Sequence, residues 1–338
     1  MTTHSQAATD PTAGHDGDAG GGHGGTKAII AALLANLGIA ISKFVAFLVT
    51  GASSMLAEAI HSLADSGNQV LLLVGGRRAQ RAATPQHPFG YGRDRYIYAF
   101  IVAIVLFSVG GLFAIYEGVH KIGQSGEVES QLVAIIVLLL AIVLESFSLR
   151  TAIKETNAVR QPGESYWSFI RHARAPELPV VLLEDTAAIT GLLLALVGVS
   201  LSALTGNGLY DGLGTIAIGL LLVAVAAVLA IETKSLLLGE SATPDAQRRI
   251  VGALVDGVGV ESVIHMRTQH LGPEELLVAA KIAVRHDETA AAVAQAIDDA
   301  EARVRAAVPI ARVIYLEPDI RRPGTAPADD PTGTAPVG

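Results

Sequence analysis

Apolar residues fill the first two thirds of the chain in blocks too long for the elements of an ordinary globular core. A helix that crosses a bilayer needs roughly 20 mostly apolar residues. Six blocks qualify, at about 27–50, 54–75, 96–119, 131–153, 179–203 and 211–232. Beyond them the pattern shortens. In ATPDAQRRIVGALVDG, Thr243 suits an N-cap and Pro244 the first helical position, and apolar residues recur at helical spacing. VESVIHMRTQHL then reads as a strand, and so does ELLVAAKIAV, where Leu276, Val278, Ala280, Ile282 and Val284 share one face. A helix over roughly 288–307 and a last strand in ARVIYLEP complete the order α-β-β-α-β. The expected architecture is an α-helical membrane protein of six transmembrane helices over 27–235, followed by a small α+β domain over 240–320. Residues 1–26, rich in Gly and His, and residues 321–338 are expected to be disordered tails.

Composition agrees. The chain is 51% hydrophobic and only 17% charged, too apolar for a soluble protein of this length. It has no cysteine, which removes disulfides, thiolate metal sites and cysteine nucleophiles. The net charge is −8, with no basic footprint for nucleic acid. The leading tail lacks Arg and carries Asp10, Asp16 and Asp18, unlike a mitochondrial presequence. Neither a phosphate-binding G-x-x-x-x-G-K-[ST] loop nor HExxH occurs, so ATP coupling and zincin-type hydrolysis are not indicated, and no enzyme activity is expected.

Charge in the connections sets an orientation. Arg77, Arg78, Arg81, Arg93 and Arg95 lie between the second and third blocks, and Lys154, Arg160, Arg171 and Arg174 between the fourth and fifth. The other three connections carry only Lys121. The positive-inside rule therefore places both termini and the α+β domain in the cytoplasm, and a bacterial inner membrane is the expected location.

The second block contains AEAIHSLADSGNQ, with Glu58, His61, Asp65 and Asn68 on one helical stripe about 100° wide. An Asp at the centre of a membrane helix costs roughly 2.5 to 3.5 kcal/mol, so such residues face a partner, a cavity or an ion. Two readings stand for His61 and Asp65: a hydrogen-bonded packing contact, or two ligands of one divalent ion. Glu58 and Asn68 are read as packing or supporting partners. A second donor segment is LEDTAAITG in the fifth block, where Glu184 and Asp185 point about 100° apart, so that at most one faces the same cavity squarely. Glu145 suits helix packing or an ion path, and Lys43 either snorkels or pairs with an acid.

Taken together, six spans, HSLAD, HPFGYGRDR in the next loop, an acid six positions before Gly191, and the α-β-β-α-β tail resemble the cation diffusion facilitator family of divalent metal transporters. The likeness covers residues 27–320. ESFSLRT and LLED look most like the branch containing a mitochondrial human zinc transporter. The resemblance implies a transport site from residues four apart on the second and fifth spans. His61 and Asp65 match the first pair and Asp185 half of the second, whereas Val181 stands where a ligand belongs. Glu184 is the expected replacement, with water or the Thr186 hydroxyl as alternatives. The expected metal set is thus His61, Asp65, Asp185 and Glu184.

The family's second metal site, in the loop after the second span, retains His87 but has Tyr91 at its next position, and is expected to be replaced by a docking turn. In the ferredoxin-like domain, His265 is kept while Lys281, Tyr315 and Glu317 stand where ligands belong, so loss of a binuclear site is expected, with dimerisation surviving. His4, His15 and His23 are read as incidental to a solvated tail.

The resemblance further implies zinc export from the cytoplasm in exchange for protons by a homodimer, with iron, cobalt or manganese as alternative substrates. No cofactor is implied beyond the transported ion. A site with His and carboxylates in a low-dielectric cavity is costly when empty and charged, so loss of metal favours proton uptake. A membrane-embedded metal sensor or scaffold is the competing reading.

Overall fold

The computed structural model describes residues 22–51, 53–122 and 131–320. Six long helical stretches follow the six apolar blocks. These are α1 (Gly22–Thr50), α2 (Ser53–Ala79), α3 (Asp94–Val105) continuing through a π-helical turn at Leu106–Leu112 into α4 (Phe113–Ile122), α5 (Gln131–Val159), α7 (Glu177–Thr205) and α8 (Leu209–Leu238). Asp94–Ile122, Leu132–Val159, Glu177–Thr205 and Leu209–Leu238 are each long and apolar enough to cross a membrane. Within α1 the described stretch Asn36–Thr50 is apolar, and α2 interrupts its apolar run with Glu58, His61, Asp65 and Asn68.

The bundle is inverted relative to a water-soluble one. Leu48, Leu132, Phe147, Leu204 and Ile231 are exposed, while Lys43, Glu58, His61, Asp65, Asn68 and Glu184 are buried. Apolar side chains outside and ionisable groups inside suit a hydrocarbon solvent.

Glycine sets how closely the helices approach. A Cβ on Gly118 would lie 2.7 Å from the Gly212 carbonyl oxygen, and one on Gly219 would lie 2.8 Å from that of Gly111. Paired small residues thus let the α4 region and α8 pack backbone to backbone, the usual way membrane helices gain van der Waals contact. Gly206, at φ 67°, ends α7 in the left-handed conformation.

One boundary shifts and one element is added. Helix α1 begins at Gly22 rather than at 27, inside the segment expected to be disordered; once an apolar helix is nucleated, adding turns at its end is easy. A short helix, α6 (Tyr166–His172), stands in the fourth connection, capped by Ser165, whose hydroxyl accepts from the Ser168 amide at 3.0 Å. The rest of the leading tail and the trailing tail lie outside the described residues.

The α+β domain has the expected order: α9 (Pro244–Val255), β1 (Ser262–Gly272), β2 (Glu275–Ala283), α10 (Ala290–Ala307) and β3 (Val313–Asp319). Thr243 caps α9, its hydroxyl accepting from the Ala246 amide at 3.3 Å. Strand β2 is central, antiparallel to β1 and parallel to β3 through the α10 crossover. Leu276, Val278, Ala280, Ile282 and Val284 are all buried, packed with Ile250 and Leu254 of α9 and Ala300 and Val304 of α10.

Candidate substrate-metal site

On α2, His61 Nε2 stands 3.5 Å from Asp65 Oδ2, side by side one turn apart. Both side chains lie inside the bundle. His61 Nδ1 and Nε2 and Asp65 Oδ1 have no hydrogen-bond partner among the described residues. A buried donor or acceptor left unmatched costs about 1–3 kcal/mol, which argues against a self-contained packing contact.

Across from this stripe, α7 divides its acids between two neighbours. Glu184 is buried and accepts a hydrogen bond from Asn68 Nδ2 of α2 at 2.7 Å. Asp185 is half-buried and accepts from Ser148 Oγ of α5 at 2.9 Å. Gly191, seven residues after Glu184 and so on the same face, lies against Glu58 of α2, where a Cβ would come within 2.8 Å of Oε1. The Glu184 to Gly191 stripe of α7 therefore faces α2. The stripe of Val181 and Asp185 faces α5, with Val181 packed beside Ala152, Ile170 and Leu182. This places an apolar side chain at 181 for a packing reason.

The four expected ligands are not gathered into one shell. Among the described residues, no group of three or more His, Asp or Glu side chains is placed to hold a metal ion. His61, Asp65 and Glu184 share the α2–α7 contact, whereas Asp185 turns to Ser148. The Asp65 carboxyl is nonetheless within electrostatic reach of Glu184, Glu145, Lys43 and Asp185.

Lys43 does not snorkel. Its ammonium is fully buried, donating to Glu58 Oε2 at 3.1 Å and to Ser62 Oγ at 2.7 Å. It joins α1 to α2 one residue from His61. Glu145 is buried in α5, one turn before Ser148.

The loop after α2 forms a compact turn. Thr84 and His87 exchange backbone hydrogen bonds, and the rings of His87 and Tyr91 pack at 4.7 Å. Gly92 then meets the β1–β2 turn, where a Cβ on it would lie 2.9 Å from the Leu271 carbonyl oxygen. Arg95 pairs with both Glu177 of α7 and Glu274 of that turn. Arg174, after α6, pairs with Glu240 at the start of the α+β domain. Both basic connections thus lie on the side of the bundle that carries this domain. Behind the contact, His270 is buried, with Nδ1 3.3 Å from the Gly272 carbonyl oxygen. Burial holds its imidazole below the ordinary value; the carbonyl partly opposes this and the Arg174 cation adds to it.

In the sheet, Lys281 sits in register between His265 on β1 and Glu317 on β3. Its ammonium reaches Glu317 Oε1 at 2.9 Å and Asp319 Oδ2 at 3.2 Å. Hydrogen bonds to Glu317 and then Asp319 raise its value further, so an internal cation already occupies these carboxylates. His4 and His15 fall outside the described residues.

Sequence reasoning placed Asn68 on the α2 stripe but did not pair it with Glu184, and named no partner for Asp185. Its one available signal was Gly191, whose spacing from Glu184 marks the face of α7 that approaches another helix closely.

A cation efflux transmembrane domain matches residues 29–238. The human mitochondrial proton-coupled zinc antiporter SLC30A9 is 34% identical over 247 residues, covering 73% of this chain. The chain spans only 44% of that relative's length. Metal tolerance protein C4 of Arabidopsis thaliana is 28% identical over 257 residues, 76% of this chain and 56% of the relative. Among solved structures, a MamM C-terminal domain is 26% identical with a TM-score of 0.22, covering 23% of this chain and 93% of that one. With a cation efflux transmembrane domain matched over most of the membrane bundle and a relative 34% identical over 73% of the sequence, the chain belongs to the cation diffusion facilitator family of divalent metal transporters.

Proposed function

We propose that this chain exports zinc from the cytoplasm in exchange for protons, by alternating access, with His61, Asp65 and Glu184 as substrate contacts. The observation that carries this reading is the juxtaposition of unpartnered His61 and Asp65 atoms with Glu184 across the α2–α7 contact, inside a bundle whose outside is apolar. Asp185, one residue along and tied to Ser148, joins the shell only if α7 turns relative to α5. Rocking of α7 between neighbours is the motion that would assemble and open the site. The naming of the human relative as a proton-coupled zinc antiporter supports zinc and protons as the exchanged ions.

The termini and the α+β domain face the cytoplasm in this reading, on the side of the basic connections, and the protein works as a homodimer in a bacterial inner membrane. His61, Asp65 and Glu184 accept the ion; when it leaves, protons replace its charge on the two carboxylates. No resident cofactor takes part. Purified protein in liposomes tests this: zinc movement accompanied by opposite proton movement is expected, with Asp65→Ala and Glu184→Ala inactive and Asp185→Ala impaired. Zinc flux without any pH change rules out the exchange. Metal-dependent shape change without flux indicates a sensor instead, and competition by iron, cobalt and manganese ranks the substrates.

A further inference from the structure

Asn68 does more in this fold than separate two helices. It is fully buried on the stripe that carries His61 and Asp65, and the three residues fall within about 60° of one another on α2. Its amide nitrogen donates to Glu184 Oε1 at 2.7 Å. A carboxylate accepts hydrogen bonds and an amide NH2 donates them, so this contact fixes which way the carboxamide is turned. The carbonyl oxygen is then directed away from Glu184, and it has no hydrogen-bond partner among the described residues. Asp65 Oδ1 and both His61 ring nitrogens, on the same stripe, are likewise without partners, and a neutral imidazole brings a single N–H to these acceptors. One donor cannot satisfy them all, and a cation can.

We infer that Asn68 is itself a substrate-metal contact, through Oδ1, and takes the place in the shell left by Val181. This rests on the reading of His61, Asp65 and Glu184 as the transport site. The set then contains one imidazole nitrogen, one neutral amide oxygen and two carboxylates, whose charge balances a divalent ion. The amide also holds Oε1 of Glu184, leaving the other carboxylate oxygen for the metal. Three oxygen donors to one nitrogen make the site harder than a shell with two imidazoles. Carbonyl and carboxylate oxygens suit manganese better than they suit zinc relative to imidazole. Asn68 is therefore a specificity-determining residue that keeps manganese among the accepted ions.

The test is uptake of Zn2+ and Mn2+ by the full chain in liposomes, comparing Asn68→Leu and Asn68→Asp with the unaltered protein. Asn68→Leu keeps the side-chain volume but removes oxygen and NH2. Manganese uptake affinity is expected to fall about 10- to 100-fold, the scale of losing one supporting contact at a metal site, with zinc falling less. Asn68→Asp keeps an oxygen but loses the donor to Glu184, and is expected to hold or raise the manganese-to-zinc ratio. A residue that only positions Glu184 gives a different result: both variants weaken both metals alike, the ratio stays put, and the inference is overturned. Either variant decides the matter if the other does not fold. Asp65→Ala is the control. Loss of both metals in it with an unchanged ratio in the Asn68 variants refutes Asn68 alone, whereas normal transport by Asp65→Ala refutes the site and the inference with it.

Discussion

Breaking the buried pair of Lys43 and Glu58 is expected to destabilise the bundle far more than removing both charges together. Nζ and Oε2 are 3.1 Å apart and both side chains are fully buried. At an effective dielectric constant near 20, their attraction is about 5 kcal/mol. Taking each ion out of water costs several kcal/mol, so the pair as a whole contributes little net stability. Removing one partner is another matter, because the survivor stays buried without compensation, at a cost of about 3–5 kcal/mol. Lys43→Met leaves the Glu58 carboxylate beside Gly191, and Glu58→Gln leaves the ammonium with Ser62 and an amide. Each single variant is expected to unfold at a temperature lower by on the order of 10 °C. The double variant should recover most of that loss. Gly191→Ala adds a further check: its Cβ would come 2.8 Å from Glu58 Oε1, and a side chain pinned by Lys43 cannot swing clear. Its cost, about 1–3 kcal/mol as for other overpacked sites, should shrink once Lys43 is gone. The assay is thermal unfolding of the purified protein in lipid nanodiscs, read as a double-mutant cycle. If the two single losses simply add in the double variant, the sites are not coupled and the reasoning fails.

The other expectations are narrower. Gly92→Val should loosen the α+β domain from the bundle, since even a Cβ there meets the Leu271 carbonyl oxygen at 2.9 Å; faster hydrogen exchange in the β1–β2 turn is the readout, and unchanged exchange counts against it. Because burial lowers the His270 value from 6.5, the unfolded chain binds a proton that the native state resists. Its contribution is therefore complete above about pH 6.5 and is lost as pH falls below it, with a slope of at most about 1.4 kcal/mol per pH unit. Thermal scans between pH 7.5 and 5.5 should show this loss in the unaltered chain and a flatter profile in His270→Gln. Thr243→Ala removes the cap of α9 and should cost about 1 kcal/mol, measured by chemical denaturation of the α+β domain signal; no change would mean that the Pro244 start alone suffices.

The membrane spans and the α+β order were legible because each rests on many residues at once. A run of 20 apolar positions, or five alternating ones in β2, survives local exceptions. Features resting on few residues were not legible. Helix α6 is seven residues long and depends on the Ser165 cap. The π-helical turn at Leu106–Leu112 lies in an unbroken apolar run whose composition does not distinguish five-residue from four-residue hydrogen bonding. The candidate site shows the same limit. HSLAD offered two candidate contacts, but Glu184 and Asp185 are adjacent, and only helix rotation decides which meets α2. That rotation is set by close approach at Gly191 and by the apolar packing of Val181, both tertiary facts. The partnership of Lys43 with Glu58 was open in the sequence for the same reason.

The π-helical turn also has an evolutionary signature. It widens one turn of the third span just before Gly118, whose backbone rests on Gly212. A π-helical turn holds about one residue more than an α-helical one, so deleting one residue within Leu106–Leu112 would close it to ordinary α-helix and leave the facing of α4 nearly unchanged. A deletion after it, between Phe113 and Gly118, has no such slack and would turn Gly118 about 100° away from Gly212, bringing a bulkier neighbour to the α8 backbone. A single-residue gap should thus be tolerated inside the turn and not in the helix that follows it.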